Sequence, residues 1–315
     1  MKIVFMGTPD FALYSLEALI EAGHELVAVV TVPDKKQGRG QKLKPSPVKQ
    51  CAQKHGLTLL QPESLRDEAF LRELKELGAE LFVVVAFKIL PREVFGIPPM
   101  GTLNVHASLL PAYRGAAPIN WAIINGERES GVTTMLIDTR VDTGDILMQE
   151  KVSITGDMNA GDLHDLLAPL GARLLVRTLE KLKRGEIAPQ KQDDRLASRA
   201  PKLTAANTAI DFNRPAAEVH NFIRGLSPYP GAYTFWRGQK LKILKAGISR
   251  EEITEGNPGQ IVRREKDRLV VACNPGAVSL ERLQLQGKRQ MSVRDFLNGY
   301  PLKTGEVLIV TELHG

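Results

Sequence analysis

Residues 81–87, LFVVVAF, are apolar at every position over the length of a strand. Neighbouring side chains of a strand point to opposite faces, so a run of this kind has to be covered on both sides. Similar short runs recur at KIVFM (2–6), ELVAVVTV (25–32), LTLL (57–60), TLNVH (102–106) and VTTMLI (132–137). Between them, Phe11, Leu13, Leu16, Leu19 and Ile20 repeat at helical spacing, as do Phe70, Leu74 and Leu77, and Pro118 to Ile124 also reads as helix. Strands alternating with helices predict an α/β fold with a doubly wound, mostly parallel sheet. Ligands of such sheets sit beyond the carboxyl ends of the strands, so residues that end or follow strands are the first candidates for a site.

The pattern changes after Asp145. ILMQEKVSIT (146–155) alternates and reads as an antiparallel or edge strand. A long amphipathic helix is predicted over about 161–184, kinked or interrupted at Pro169. Residues 186–206 lack apolar periodicity and read as connecting chain, and AAEVHNFIRGL (216–226) reads as a short helix. AYTFW, KLKILKA, GQIVRRE, RLVVAC and AVSLERLQL then follow at the spacing of a small antiparallel β-barrel, with MSVRDFLNG (291–299) as a closing helix. The expected organisation is a catalytic domain over 1–189, a linker over 190–206 and a barrel domain over 207–315.

Charge follows the same division. The net charge is +6, yet residues 1–189 carry 22 Lys/Arg against 23 Asp/Glu, and the remainder carries 20 against 13. Residues 34–49, DKKQGRGQKLKPSPVK, concentrate six bases and one acid, and Gly38, Gly40, Pro45 and Pro47 predict a flexible, exposed excursion there. Clustered Lys and Arg suit a polyanionic partner. Cys51 and Cys273, the only cysteines, exclude a disulfide framework and fit a reducing, cytoplasmic compartment. The opening MKIVFMGTPDF is broken at Gly7 and Pro9, which excludes a signal-peptide core, and no stretch reaches the ~20 apolar residues of a membrane span.

The first strand ends in GTPDF, where a dinucleotide-binding turn needs Gly-x-Gly-x-x-Gly, so a bound pyrophosphate is disfavoured. The chemistry-bearing stretch is 101–145. Asn104 and His106 lie two apart on a strand and face the same way, and Asp142 sits in an Asp-Thr-Gly-Asp turn after the next strand, within possible reach of His106. Burying such a trio is costly unless its members bond one another. On the residues alone, it is either a reactive constellation or a polar network that fixes the core.

Asn104-Val105-His106, Ser108-Leu109-Leu110-Pro111, Arg114-Gly115-Ala116-Ala117-Pro118 and Val141-Asp142-Thr143-Gly144-Asp145 together resemble the signature of the formyltransferases that use 10-formyltetrahydrofolate. MGTPDFA (6–12), PDKKQGRGQKLKPSPVK (33–49) and LSPYPGAYT (226–234) extend the resemblance along nearly the whole chain, to the branch of that family that acts on methionyl initiator tRNA. The resemblance implies a Rossmann-like domain followed by an OB-like barrel. It implies Asn104, His106 and Asp142 as catalytic residues, with His106 donating as imidazolium, and Ser108, Leu109, Leu110 and Pro111 as the folate-contacting segment. It also implies Arg39 and Lys42 as contacts to the tRNA acceptor stem, with no metal and a cytoplasmic, monomeric protein. Arg114 positions its loop or meets an anionic part of the substrate; Arg263, Arg264 and Lys266 are candidate phosphate contacts on the barrel. One departure stands out: the family commonly has Tyr-Gly-x-Ile-Leu-Pro, where Phe87-Lys88-Ile89-Leu90-Pro91 is one residue shorter and lacks the glycine. The same catalytic trio would serve a UDP-amino-sugar N-formyltransferase, the alternative, which has no evident use for the basic segment.

Overall fold

The computed structural model describes residues 1–37, 42–251 and 256–309. In chain order they form β1 (Lys2–Gly7), α1 (Asp10–Glu21), β2 (Glu25–Val30), β3 (Lys35–Gln37), β4 (Lys42–Lys44), α2 (Pro47–Lys54), β5 (Leu59–Leu60), α3 (Glu68–Glu76) and β6 (Leu81–Val85). Next come α4 (Arg92–Phe95), β7 (Thr102–His106), β8 (Arg114–Gly115), α5 (Pro118–Ile124), β9 (Glu129–Leu136), β10 (Ile146–Ser153) and α6 (Ala160–Lys183), the last running through Pro169. The remainder comprises β11 (Arg199–Ala200), α7 (Ala216–Gly225), β12 (Ala232–Trp236), β13 (Gln239–Ile248), β14 (Ile261–Arg264), β15 (Leu269–Ala272), β16 (Ala277–Leu285), β17 (Met291–Ser292) and α8 (Val293–Gly299). The chain divides into two units, one of residues 1–115, 130–152 and 164–199, the other of 116–129, 153–163 and 200 onward.

The first unit is built on a seven-stranded sheet of order β10-β9-β7-β6-β1-β2-β5. The strands from β5 through β7 are parallel, and β1 and β6 are buried along their apolar runs, with Phe5 and Phe82 fully enclosed. Gly7 closes β1 because a Cβ there would lie 2.7 Å from that of Ala12 and 2.8 Å from the Phe5 ring. Glycine therefore lets α1 turn back close against its strand.

Two features depart from the sequence expectation. The basic segment, expected as a loose excursion, pairs β3 with β4 as a two-stranded ribbon, Lys35 opposite Lys44 and Gln37 opposite Lys42. It then enters α2, where Pro47 takes the first turn and the Ser46 side chain accepts from the Lys49 amide. The second feature is the direction of β9, which runs antiparallel to β7 with Leu103 opposite Leu136 and His106 opposite Thr133. The Ile137 amide donates to the Thr102 carbonyl at 2.7 Å, so the loop leaving β9 starts at the end of β7 remote from His106.

The second unit is an antiparallel sheet of order β12-β13-β16-β15-β14, with β17 added on β16. Its two edges are joined through one short segment. Phe235 of β12 and Ile309 exchange hydrogen bonds of 2.8 and 3.1 Å, and the Ile261 amide of β14 donates to Glu306 at 2.8 Å. The sheet therefore closes into a barrel around Trp236, Leu241, Ile243, Val271, Leu283 and Phe296. In this unit α5 packs on α7, where Asn120 donates to the Gly225 carbonyl at 2.8 Å and a Cβ on Gly225 would come within 2.6 Å of Ile124.

Candidate active site

In the parallel register Gly7, Val85 and Val105 lie side by side, so β1, β6 and β7 end together, and His106 is the last residue of β7. Asn104 and His106 lie on one face of that strand. His106 is only 7% exposed, and its Nε2 lies 2.9 Å from the Tyr113 carbonyl. Asp142 Oδ2 stands 3.8 Å from Nδ1 and accepts the Gly115 amide at 2.8 Å. At 3.8 Å the carboxylate is an ion-pair neighbour of the ring rather than its hydrogen-bond partner. The hydrogen-bond partner of the ring is therefore the Tyr113 carbonyl, and the Asp142 carboxylate stands beside Nδ1. The Asn104 side chain is half-buried and has no hydrogen-bond partner among the described residues.

Both residues that face the imidazole have left-handed backbones, with φ +62° at Tyr113 and +55° at Asp142. Non-glycine residues rarely adopt that region, and those that do cluster at functional positions. The Asp142 turn is anchored by Gly144, where a Cβ would sit 1.6 Å from the Leu136 carbonyl oxygen, and by Thr143, whose hydroxyl donates to Asp138 at 2.7 Å.

Ser108, Leu109, Leu110 and Pro111 form a braced turn after His106. The Ser108 hydroxyl donates to the Ala112 carbonyl at 2.6 Å, and the Ser108 carbonyl accepts from Thr133 at 2.6 Å. The Leu110 amide donates to Thr133 Oγ1 at 3.1 Å, while Gln149 donates to the Leu110 carbonyl at 2.8 Å. Ser108 and Leu110 are buried and Leu109 is half-buried, so of the two leucines Leu109 is the one with surface to offer a ligand. Arg114 is largely enclosed, with Nε and Nη2 on Gln192 Oε1 at 3.0 and 2.8 Å and Nη2 on Asp194 at 2.8 Å. Those contacts tie its guanidinium to the segment that follows α6. Thr133, Gln149 and Gln192 were not legible as site residues.

The base of the basic ribbon is fixed by a compact network. Lys49 donates to Asp34 at 2.7 Å and to Gln61 at 2.9 Å, and Gln61 donates to Asp34 at 3.1 Å. Arg39 lies outside the described residues, as does the side chain of Lys42, whose backbone belongs to β4. On the barrel, the exposed Arg263 forms ion pairs with Glu251 at 2.9 Å and Glu265 at 3.2 Å. The hydrogen bond from Lys49, and after it that from Gln61, holds the Asp34 carboxyl below its ordinary value of 3.8. A depressed carboxyl stabilises the fold above its unfolded value and loses that contribution as the pH falls through the folded value. Thermal melts of Asp34→Asn should therefore lie below wild type at neutral pH, with the gap closing below about pH 4; a constant gap down to pH 3 would contradict this assignment.

Among the described residues no group of His, Cys, Asp and Glu side chains is placed to hold a metal ion, and no helix is long and apolar enough to cross a membrane. The sequence model of the Formyl transferase family matches residues 1–179, and that of the formyl transferase C-terminal domain matches 202–301. The chain belongs to the formyl transferase family. Among curated members it is 50% identical over 310 residues to "Methionyl-tRNA formyltransferase" of Caldanaerobacter subterraneus, covering 98% of this chain and 100% of the relative. It is 48% identical to the protein of the same name from Pelotomaculum thermopropionicum, with 98% of each covered. Among solved formyltransferases, the sugar 3N-formyl transferase WlaRD aligns with a TM-score of 0.68 at 20% identity, over 92% of this chain and 99% of that one. A methionyl-tRNA formyltransferase from Clostridium thermocellum aligns with a TM-score of 0.54 at 17% identity, over 79% and 94%. At those identities the solved structures speak for the shared formyltransferase fold alone.

Proposed function

We propose that this chain transfers the formyl group of 10-formyltetrahydrofolate to the free α-amino group of methionyl initiator tRNA, giving N-formylmethionyl-tRNA for translation initiation. The reading rests on Asn104, His106 and Asp142 converging at the end of β7, in a chain half identical to relatives that bear the name of this activity. A formyl donor fits these residues because the Asn104 amide has no partner among the described residues, beside an imidazole whose Nδ1 stands 3.8 Å from the Asp142 carboxylate.

The neutral amine attacks the formyl carbon, and negative charge develops on the formyl oxygen. The Asn104 amide and His106 Nδ1–H donate to that oxygen, each worth roughly 3–4 kcal/mol of barrier where the donor is prepositioned. Asp142, its carboxylate 3.8 Å from Nδ1, accepts the amine proton directly or through water. The carbon–nitrogen bond to the folate then breaks, and the proton passes to the departing nitrogen. The turn Ser108 to Pro111 walls the folate, with Leu109 offering apolar surface. We assign catalysis to 1–189, the connection to 190–206 and tRNA binding to the barrel over 207–315, in a cytoplasmic monomer.

Arg39 and Lys42 of the basic segment 34–49 meet the acceptor stem. Replacing both by Ala should lower kcat/KM for charged tRNA and flatten its dependence on log salt by about one to two units, since each lost phosphate contact releases about one fewer counterion. Folate affinity, measured in parallel, should be unchanged. An unaltered salt slope would return the ribbon to ordinary solvated surface. The assay that tests the whole reading sets charged initiator tRNA beside a UDP-amino sugar, with 10-formyltetrahydrofolate as donor; formylation of the sugar alone would overturn it.

A further inference from the structure

Residues 190–198 are more than a connection, because they are stitched to both loops that surround His106. The Gln190 and Ile146 backbones exchange hydrogen bonds of 2.9 and 2.8 Å. Ser198 Oγ accepts the Tyr113 amide at 2.9 Å, and the Ser198 carbonyl accepts the Arg114 amide at 2.9 Å. At the middle of the segment the half-buried Gln192 carboxamide uses both of its ends. Its Nε2 donates to the Asp142 carbonyl at 3.0 Å and to the Gly144 carbonyl at 2.7 Å, while its Oε1 accepts Arg114 Nε and Nη2 at 3.0 and 2.8 Å. One side chain thus clamps the turn that carries Asp142 against the loop that carries Tyr113, and these are the two loops that face the imidazole.

We propose that Gln192 is a positioning residue for formyl transfer, acting through Asp142 by fixing the left-handed turn that sets its carboxylate beside His106. A carboxamide meets both demands, because the carbonyls need a donor and the guanidinium needs an acceptor. A glutamate would keep the Arg114 contact and turn an acceptor toward two carbonyl oxygens. A lysine would keep the carbonyls and repel Arg114. The proposal rests on the catalytic reading of Asp142, and the test separates the two.

Kinetics with saturating 10-formyltetrahydrofolate and charged initiator tRNA would be measured for Gln192→Ala, Gln192→Glu, Asp142→Asn and the double variant Gln192→Ala/Asp142→Asn. Small displacements of a catalytic group cost up to about 100-fold in rate, so Gln192→Ala should lower kcat about 10- to 100-fold with both KM values within about threefold of wild type. Gln192→Glu, which keeps size and the Arg114 contact, should lose a similar factor. In the Asp142→Asn background, Gln192→Ala should cost less than about threefold, because the group it positions is already disabled. The same fold loss in both backgrounds, or wild-type kcat in Gln192→Glu, would overturn the proposal while leaving Asp142 in the mechanism. Wild-type kcat in Asp142→Asn alone would overturn the reading of the site, and this proposal with it.

Discussion

His106→Ala and Asn104→Ala are each expected to lower kcat by about 10²- to 10³-fold, the loss associated with one donor to a developing oxyanion. The two side chains lie on one face of β7 under different constraints. His106 is buried and tethered to the Tyr113 carbonyl, whereas Asn104 is half-buried with an amide that has no partner among the described residues. Removing Asn104 should therefore leave the melting temperature nearly unchanged, and removing His106 should lower it, since the Tyr113 carbonyl loses its partner. Asp142→Asn keeps size, removes charge, and should lose activity comparably. Circular dichroism melts and tRNA binding, measured on the same preparations, separate chemistry from folding. Near-normal turnover in either alanine variant, with formyl transfer confirmed, removes that residue from the mechanism.

Gly144→Ala should be as damaging although it touches no substrate. The added methyl would coincide with the Leu136 carbonyl oxygen, 1.6 Å away, and backbone on that side belongs to a strand that cannot retreat. The Asp142 turn has to move instead. A destabilisation of about 1–3 kcal/mol is expected from the forced contact, and kcat should fall by about 100-fold because the carboxylate leaves its place beside Nδ1. A variant that melts and turns over like wild type would mean that the turn has an alternative seat.

The parallel core was legible because its strands are apolar on both faces, a pattern few other arrangements tolerate. Asn104 and His106 were legible as a pair from their spacing of two, and Asp142 from its turn, although the partners of the ring were not. A backbone carbonyl such as that of Tyr113 has no sequence signal. The start of α2 was misread for an identifiable reason: Pro45-Ser46-Pro47 reads as a breaker, yet Ser before Pro is also how a helix starts, and α2 begins there. Gln192 left no trace, because it lies in a stretch without periodicity and acts on main-chain oxygens and on one distant arginine. Contacts of that kind are fixed by tertiary placement, not by local pattern.

The reversal of β9 has a bearing on how the protein acquires its activity as it folds. Asp142 follows β9, so its loop departs from the end of β7 opposite His106 and must double back to meet the ring. A slip of β9 by one residue would exchange the side chains on its two buried faces and carry the loop away by one strand step, about 3.3 Å. An intermediate that has zipped only the parallel strands already possesses Asn104 and His106 in register, and still has no carboxylate beside them. Recovery of turnover during refolding should thus trail recovery of secondary structure, making catalysis a late reporter of native strand order rather than of collapse.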